Sequence, residues 1–428
     1  MLDIVDISKI NNNEFVNELH NRSFKDIKEI AERVSDIIKN IIKNGDDALK
    51  AYTSNFDKVE LESFLVKDEE IEEAYKNCDK RIIEILEESK ENITKYHELQ
   101  KKQGYLYTKE NGVYMGQRVL PLNSVGVYVP GGTAAYPSSV LMNVIPAKVA
   151  GVKEITMVTP PDKEGGVNPN ILVAAKIAGV DKVYKVGGAQ AVAALAYGTE
   201  SIKRVDKIVG PGNSYVAEAK RQVYGKVGID MIAGPSEILI IADEGARGKY
   251  IAADLMSQAE HDKMASSILL TTSTEVINET LKELEIQLAK LGRIEIIESS
   301  LENYGKIVLC ENIDQCIELA NEIASEHVEI LTKNPMEILD RIKNAGSIFL
   351  GEYTPEPVGD YFGGTNHVLP TCGTAKFSSP LSVDDFTKKS SYLYYSKKAL
   401  TEDYKKIMRF AEEEGLTAHS NAVKVRFE

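Results

Sequence analysis

Lys182-Val183-Tyr184-Lys185-Val186-Gly187-Gly188-Ala189-Gln190-Ala191-Val192-Ala193-Ala194-Leu195-Ala196-Tyr197 decides the fold. A β-branched run, two glycines and an alanine-rich stretch follow one another, which reads as a strand turning into a helix. The alternation recurs outward from it. Short β-branched runs stand at 124–129, 154–158 and 207–209, then at 237–242, 267–271, 306–309, 328–331 and 347–350, with helical stretches between them. Such alternation implies parallel strands with helices on the sheet faces. The two clusters of strands predict an α/β protein with two Rossmann-like sheets, and Gly234-Pro235 marks the seam.

Composition bounds the rest. At 428 residues the chain is long enough for two or three packed units. Hydrophobic content of 43% and charged content of 27% are ordinary for a globular protein. The charge, 51 − 65 = −14, argues against nucleic acid or an anionic membrane as main partner and suits a cationic substrate. No apolar run approaches the about 18 residues of a spanning helix. The start carries acids where a secretory signal needs bases, so a cytoplasmic location is expected. Cys78, Cys310, Cys316 and Cys372 show no C-x-x-C pairing and are expected reduced.

Residues 1–104 read as helical. Val34, Ile37, Ile38, Ile41 and Ile42 form a helical stripe closed by Gly45. A longer helix carries Ile71, Ala74, Cys78, Ile82, Leu86, Ile93 and Leu99 inward. His20 and His97, among Lys and Glu, are expected on the surface. Between 353 and 391 periodicity is lost, and a long functional loop is expected. A helix follows over 401–414, with Gly415 as its stop. The segment 416–428 is too poor in apolar residues to fold alone and should dock, a second subunit being one place. The expected division is an arm at 1–25; a first α/β domain of 26–123 with 237–380, carrying the metal and catalytic segments; a second, nucleotide-binding α/β domain at 124–236; and a dimer-forming helical tail at 381–428.

Three strand-to-helix turns in the first cluster are glycine-rich: Val129-Pro130-Gly131-Gly132-Thr133, Val186-Gly187-Gly188-Ala189-Gln190 and Val209-Gly210-Pro211-Gly212-Asn213. Glycines there let backbone N–H groups approach a phosphate at a helix N-terminus. None is a full G-x-G-x-x-G fingerprint, so tight turns alone and a nucleotide site both stay open. Gln190 and Asn213 follow the second and third turns, where their amides could reach a ribose or pyrophosphate.

Elsewhere, Gln258 and His261 stand at i and i+3 of a helical stretch and share a face. They read either as half a metal site or as a solvated helix face. Glu326-His327 closes a helical stretch before a strand. A carboxylate and an imidazole there can serve proton transfer, or the histidine can simply favour the helix dipole. Ser236, after Gly234-Pro235, offers a hydroxyl to a substrate or to its own turn. Asp360 and His367 bracket Tyr361-Phe362-Gly363-Gly364-Thr365-Asn366, and Glu414 and His419 flank Gly415. Two imidazoles, one carboxylate and one amide would suit Zn²⁺, although spacing cannot join segments so far apart.

In order along the chain stand Val127-Tyr128-Val129-Pro130-Gly131-Gly132, Gly187-Gly188-Ala189-Gln190-Ala191-Val192-Ala193, Val209-Gly210-Pro211-Gly212-Asn213, Ala233-Gly234-Pro235-Ser236-Glu237, Ser257-Gln258-Ala259-Glu260-His261-Asp262, Ser325-Glu326-His327 and Gly363-Gly364-Thr365-Asn366-His367. With these motifs the chain resembles the histidinol dehydrogenases over nearly its whole length, most weakly over residues 1–100. The resemblance implies oxidation of L-histidinol through L-histidinal to L-histidine with two NAD⁺, the final step of histidine biosynthesis. It implies one Zn²⁺ per subunit on Gln258, His261, Asp360 and His419, the last from the partner of a homodimer, and a metal that anchors substrate. It also implies His327 as the base for the alcohol proton and Glu326 as the activator of water. Ser236, His367 and Glu414 would line the substrate pocket, and Tyr128, Gln190 and Asn213 would contact NAD. A related dehydrogenase of another small alcohol and a non-catalytic metal or nucleotide binder are the competing readings. A metal-dependent hydrolase finds no H-E-x-x-H.

Overall fold

The computed structural model describes residues 2–6, 12–22, 27–131 and 136–428. Gly132 and Thr133 of the first glycine turn, and parts of the expected 1–25 arm, lie outside them. In chain order the strands are β1 (Asp3–Asp6), β2 (Tyr105–Lys109), β3 (Val113–Pro121), β4 (Ser124–Tyr128), β5 (Glu154–Thr159), β6 (Lys182–Lys185) and β7 (Lys207–Val209). They continue as β8 (Gly228–Ile229), β9 (Glu237–Ala242), β10 (Ser266–Thr271), β11 (Gly305–Leu309), β12 (His327–Leu331), β13 (Ser347–Leu350) and β14 (Thr387–Tyr395). The chain divides into two compact units: Met1–Gln100 with Leu122–Phe386, and Lys101–Pro121 with Thr387–Glu428.

The first unit holds two parallel sheets. One runs β6-β5-β4-β7-β8. The other runs β1-β11-β10-β9-β12-β13. Counted from its own first long strand, each sheet has the doubly wound order 3-2-1-4-5, with β1 added at the edge of the second. The order reverses between β4 and β7 in one sheet and between β9 and β12 in the other. Strand sequences such as Glu237-Ile238-Leu239-Ile240-Ile241-Ala242 are buried at every position, as parallel strands covered on both faces must be. Alternate residues feed two cores. In the 124–229 sheet Val125 and Val127 face one core and Tyr128 and Ile208 the other. In the 237–350 sheet Leu239 and Ile241 face one, Ile238 and Ile240 the other.

The N-terminal helices pack where the sequence division did not put them. Helix Ile27–Phe56 lies on helices Gly188–Tyr197 and Ser214–Val223, and helices Asp68–Asn77 and Lys80–Glu98 lie on Pro137–Ala150 and Pro169–Ala178. They therefore cover the 124–229 sheet, whereas the sequence reading grouped 26–123 with 237–380. Their apolar stripes carry no mark of which sheet they meet. Gly45, with φ of 49°, bends the first of these helices instead of ending it. Within the stripes Ile42, Ile82 and Leu99 face solvent. His97, expected outside, is fully buried: Nδ1 donates to the Ile93 carbonyl at 2.8 Å and Nε2 faces the Asn366 amide at 3.3 Å. Helix Asn12–Asn21 puts Phe15, Val16 and Leu19 into the core of the 237–350 sheet.

The second unit is an antiparallel sheet, β14-β3-β2, followed by helices Lys397–Glu413 and Thr417–Lys424. Two corrections fall here. The 353–391 stretch ends in a regular strand, and 105–121, placed by the sequence division in the first α/β domain, pairs with it. The tail docks on the preceding helix: Ser420 donates to Glu412 at 2.9 Å, and the Tyr404 and Phe427 rings lie 4.5 Å apart. Among the described residues no disulfide forms, and no helix is long and apolar enough to cross a membrane.

Candidate active site

The register between β9 and β12 builds the centre of the site. His327 pairs with Ile238, so Glu326 stands beside Glu237 at the amino end of the ladder. Their backbones and carboxylates cross: the Glu237 N–H donates to Glu326 Oε2 at 2.9 Å, and the Glu326 N–H donates to Glu237 Oε2 at 3.3 Å. His327 Nδ1 lies 2.9 Å from the Glu237 carbonyl oxygen. A carbonyl only accepts, so Nδ1 carries the proton and Nε2 a lone pair. That Nε2 is buried, has no hydrogen-bond partner among the described residues, and lies 3.9 Å from Asp360 Oδ1. Burial, with His261 and His367 nearby, lowers the His327 pKa to about 3, which keeps the imidazole neutral.

Helix Gly248–Ala259 ends at the same place. Gln258 is fully buried, and neither atom of its amide head has a hydrogen-bond partner among the described residues. An orphaned buried amide is unusual in a native core and marks a missing partner. One turn on stands His261. It meets Glu356 and Asp360 of helix Glu356–Tyr361, one ligand atom from each of the three lying within 4.8 Å of the others. Burial raises Asp360 to about 6. Burial, then Asp360, raises Glu356 to about 8, while Ser257 donates to it at 3.2 Å. Burial also lifts Glu326 well above the usual carboxylate range. So many carboxyls in low dielectric resist ionisation unless cations join them. An imidazole, two carboxylates and an unpartnered amide fit a borderline divalent cation such as Zn²⁺.

His367 ties this centre to the first sheet. Its Nδ1 donates to the Asp360 carbonyl at 3.1 Å, and Ser139 Oγ lies 3.3 Å from Nε2. Ser139 belongs to helix Pro137–Ala150, which follows the first glycine turn. At the carboxyl end of β4, the Tyr128 hydroxyl accepts from the Gly188 N–H at 3.0 Å, and burial raises its phenol to about 12. Gly210, with φ of 111°, lies so close to Tyr128 that an added Cβ would stand 2.1 Å from its carbonyl oxygen. Its N–H donates to Asp230 at 2.8 Å and its carbonyl accepts from Lys220 at 2.9 Å. Asn213 caps helix Ser214–Val223 through Oδ1, which leaves its N–H₂ to donate. Gln190 is buried in the second turn. The third turn stands at the switch point and the second at the carboxyl end of β6, on the side where doubly wound sheets bind ligands. Glu326 and His327 of the other sheet sit at amino strand ends instead.

Of the residues expected from the sequence, Gln258, His261, Glu326, His327, Asp360 and His367 come together, and Ser236 immediately precedes Glu237. Glu414 and His419 belong to the second unit, where both side chains are exposed. Glu356 was missed. It stands four residues before Asp360, a spacing that puts both carboxyls on one helix face, but Pro355 and Pro357 around it read as loop. Arg22, Ser139, Lys220 and Asp230 gave no signal.

Two doubly wound sheets, one with a glycine turn at its switch point and one with a buried Glu-His pair beside imidazole, amide and carboxyl groups that fit a metal, have the make-up of a two-sheet α/β oxidoreductase. The sequence profile of the histidinol dehydrogenases matches residues 20–427. A "Histidinol dehydrogenase" of Clostridium acetobutylicum is 59% identical over 427 residues, covering 100% of this chain and 99% of that one. One of Bacillus cereus is 57% identical over 403 residues, 94% of each chain. The solved histidinol dehydrogenase of Elizabethkingia anophelis superposes with a TM-score of 0.88 at 40% identity, covering 92% of each chain. The chain belongs to the histidinol dehydrogenase family, whose members are NAD-dependent, zinc-binding oxidoreductases of histidine biosynthesis. Nothing in these matches supports a dehydrogenase of another small alcohol.

Proposed function

We propose that the chain oxidises L-histidinol to L-histidine by way of the aldehyde, passing two hydrides in turn to NAD⁺. The observation that carries this reading is a neutral His327 with a bare, buried Nε2 beside the Gln258, His261 and Asp360 donors. Gln258, His261 and Asp360, completed by His419 of a partner subunit, would hold Zn²⁺, with Glu356 beside His261 and Asp360. A metal held there would supply positive charge for anchoring the substrate. His327 Nε2 takes the hydroxyl proton as the carbinol C–H bond gives its electron pair to the nicotinamide. Glu326 becomes a carboxylate when the cations of the site are in place, and it then removes a proton from the water that adds to the aldehyde. The hydrate then passes its hydride to the second NAD⁺ and a hydroxyl proton to His327, which has by then released the first proton to solvent, leaving the acid. Ser236, His367 and Glu414 line the substrate pocket. Tyr128, Gln190 and Asn213 hold NAD in the crevice of the 124–229 sheet. A cytoplasmic homodimer whose tails at 381–428 cross between subunits completes the reading.

The test is NADH formation from L-histidinol before chelation, after it, and after restoring Zn²⁺. Two NADH per histidinol, lost on chelation and regained with metal, are expected. One NADH per histidinol, or turnover indifferent to chelation, overturns the reading.

A further inference from the structure

Arg22 is 3% exposed and reaches four acceptors. Its Nη1 donates to the Leu19 carbonyl at 2.6 Å, and its Nε to the Met264 carbonyl at 3.1 Å. Its Nη2 donates to the Pro235 carbonyl at 3.1 Å and to Glu237 Oε1 at 2.7 Å. These acceptors belong to different segments of the site. Met264 follows the loop that begins at Gln258 and His261. Pro235 and Glu237 flank Ser236. Glu237 then has no idle polar group: one carboxylate oxygen binds Arg22, the other accepts from the Glu326 N–H, its own N–H goes to Glu326 Oε2, and its carbonyl accepts from His327. One guanidinium therefore joins the metal-ligating segment to the acid-base pair through a fully buried carboxylate.

We propose that Arg22 and Glu237 are positioning residues for the oxidation, holding Glu326 and His327 in register with each other and with the Gln258–His261 segment. The proposal rests on the reading of Glu326 and His327 as the proton-transfer pair. A buried ion pair is a poor device for stability alone, since apolar side chains of similar volume often fill such a place without loss. A planar fork that fixes several carbonyls at once is a good device for geometry. Supporting groups one step removed from a reacting centre commonly carry about 10- to 100-fold in activity.

The experiment compares Arg22→Met, Glu237→Leu and the double variant, with Arg22→Lys and His327→Asn beside them. Each single change leaves one buried charge unpaired and lowers Tm. The double variant removes both charges and regains Tm. The expected result is that it still loses about 10- to 100-fold in kcat, with KM for histidinol and zinc content unchanged, and releases less than two NADH per histidinol. Arg22→Lys, with the charge but without the fork, recovers part of kcat. A double variant with parental Tm and parental kcat overturns the proposal and leaves the pair a packing element. Should the double variant not fold, Arg22→Lys and Glu237→Gln read the same split: a fall in kcat at constant KM and Tm supports positioning, and unchanged kcat overturns it. His327→Asn separates the two ideas, because parental activity in that variant sinks the reading of the pair itself.

Discussion

At His327 the Glu237 carbonyl decides the tautomer, and burial decides the charge. Replacing His327 with Asn removes the lone pair at Nε2 without adding charge. NADH formation should fall by about 100- to 10,000-fold, the usual range for a lost general base, while metal analysis finds zinc unchanged; loss of zinc instead would move His327 into the ligand set. Glu326→Gln should spare the first oxidation more than the second, so histidinal accumulates and NADH per histidinol falls toward one, measured by trapping the aldehyde. The carboxyls around the proposed metal position set a pH dependence. Asp360 and Glu356 hold protons up to about 6 and about 8. A cation must displace those protons, so Zn²⁺ affinity should rise with pH across that window in titration calorimetry, with protons released; a flat profile excludes both carboxyls as ligands. The same shift acts on stability. Burial keeps His327 and His367 low, so their opposite effect on stability fades above the ordinary imidazole value of about 6.5, while Glu356 keeps in the fold a proton that the unfolded chain loses near 4.5. Stability of the metal-free protein should therefore fall as pH rises toward about 8, and Zn²⁺ should reverse the trend.

Among the elements, the strand-to-helix turns are where the fold would meet the cofactor in the proposed reading. Asn213 accepts two backbone N–H groups at the start of helix Ser214–Val223. Asn213→Ala should cost about 1 kcal/mol in urea unfolding and raise KM for NAD with kcat little changed; a stability loss with KM for NAD unmoved would leave Asn213 a cap alone. At this scale most of the fold was legible, because parallel strands buried on both faces read as continuous β-branched runs and glycines punctuate their ends. The adjacency of Glu326 and His327 and the helical spacing of Gln258 and His261 were legible for the same local reason. What could not be read depends on contacts across the sheet or between distant segments. The Glu237–Glu326 brace follows from the register of β9 with β12. Arg22 lies 215 residues from Glu237. The burial of His97 depends on Asn366, and the amphipathic helices before residue 100 could have covered either sheet. β2 escaped because every residue of Tyr105–Lys109 is exposed, so no buried face marks it as a strand.

For the whole molecule the prediction to test is the proposed part of His419. His419 supplies the fourth ligand in the proposed reading, and its helix carries little apolar surface of its own: Ser420 is buried there while His419 is exposed. If His419 serves the site of a partner subunit, two inactive variants can repair each other. A protomer with His327→Asn keeps His419, and a protomer with His419→Ala keeps His327. In a mixed dimer one site receives both defects and the other receives none. Random reassociation makes half the dimers mixed, each with one intact site of two, so about a quarter of parental activity should return from symmetric exchange. If His419 acts within its own chain, every site in the mixture carries one defect and no activity returns. Unfolding and refolding the two variants together, with each refolded alone as the baseline, separates the outcomes by NADH formation. Recovery near a quarter, accompanied by regain of zinc, establishes a site shared between subunits. Absence of recovery despite subunit exchange, followed by mass spectrometry of differently tagged chains, places His419 in its own protomer.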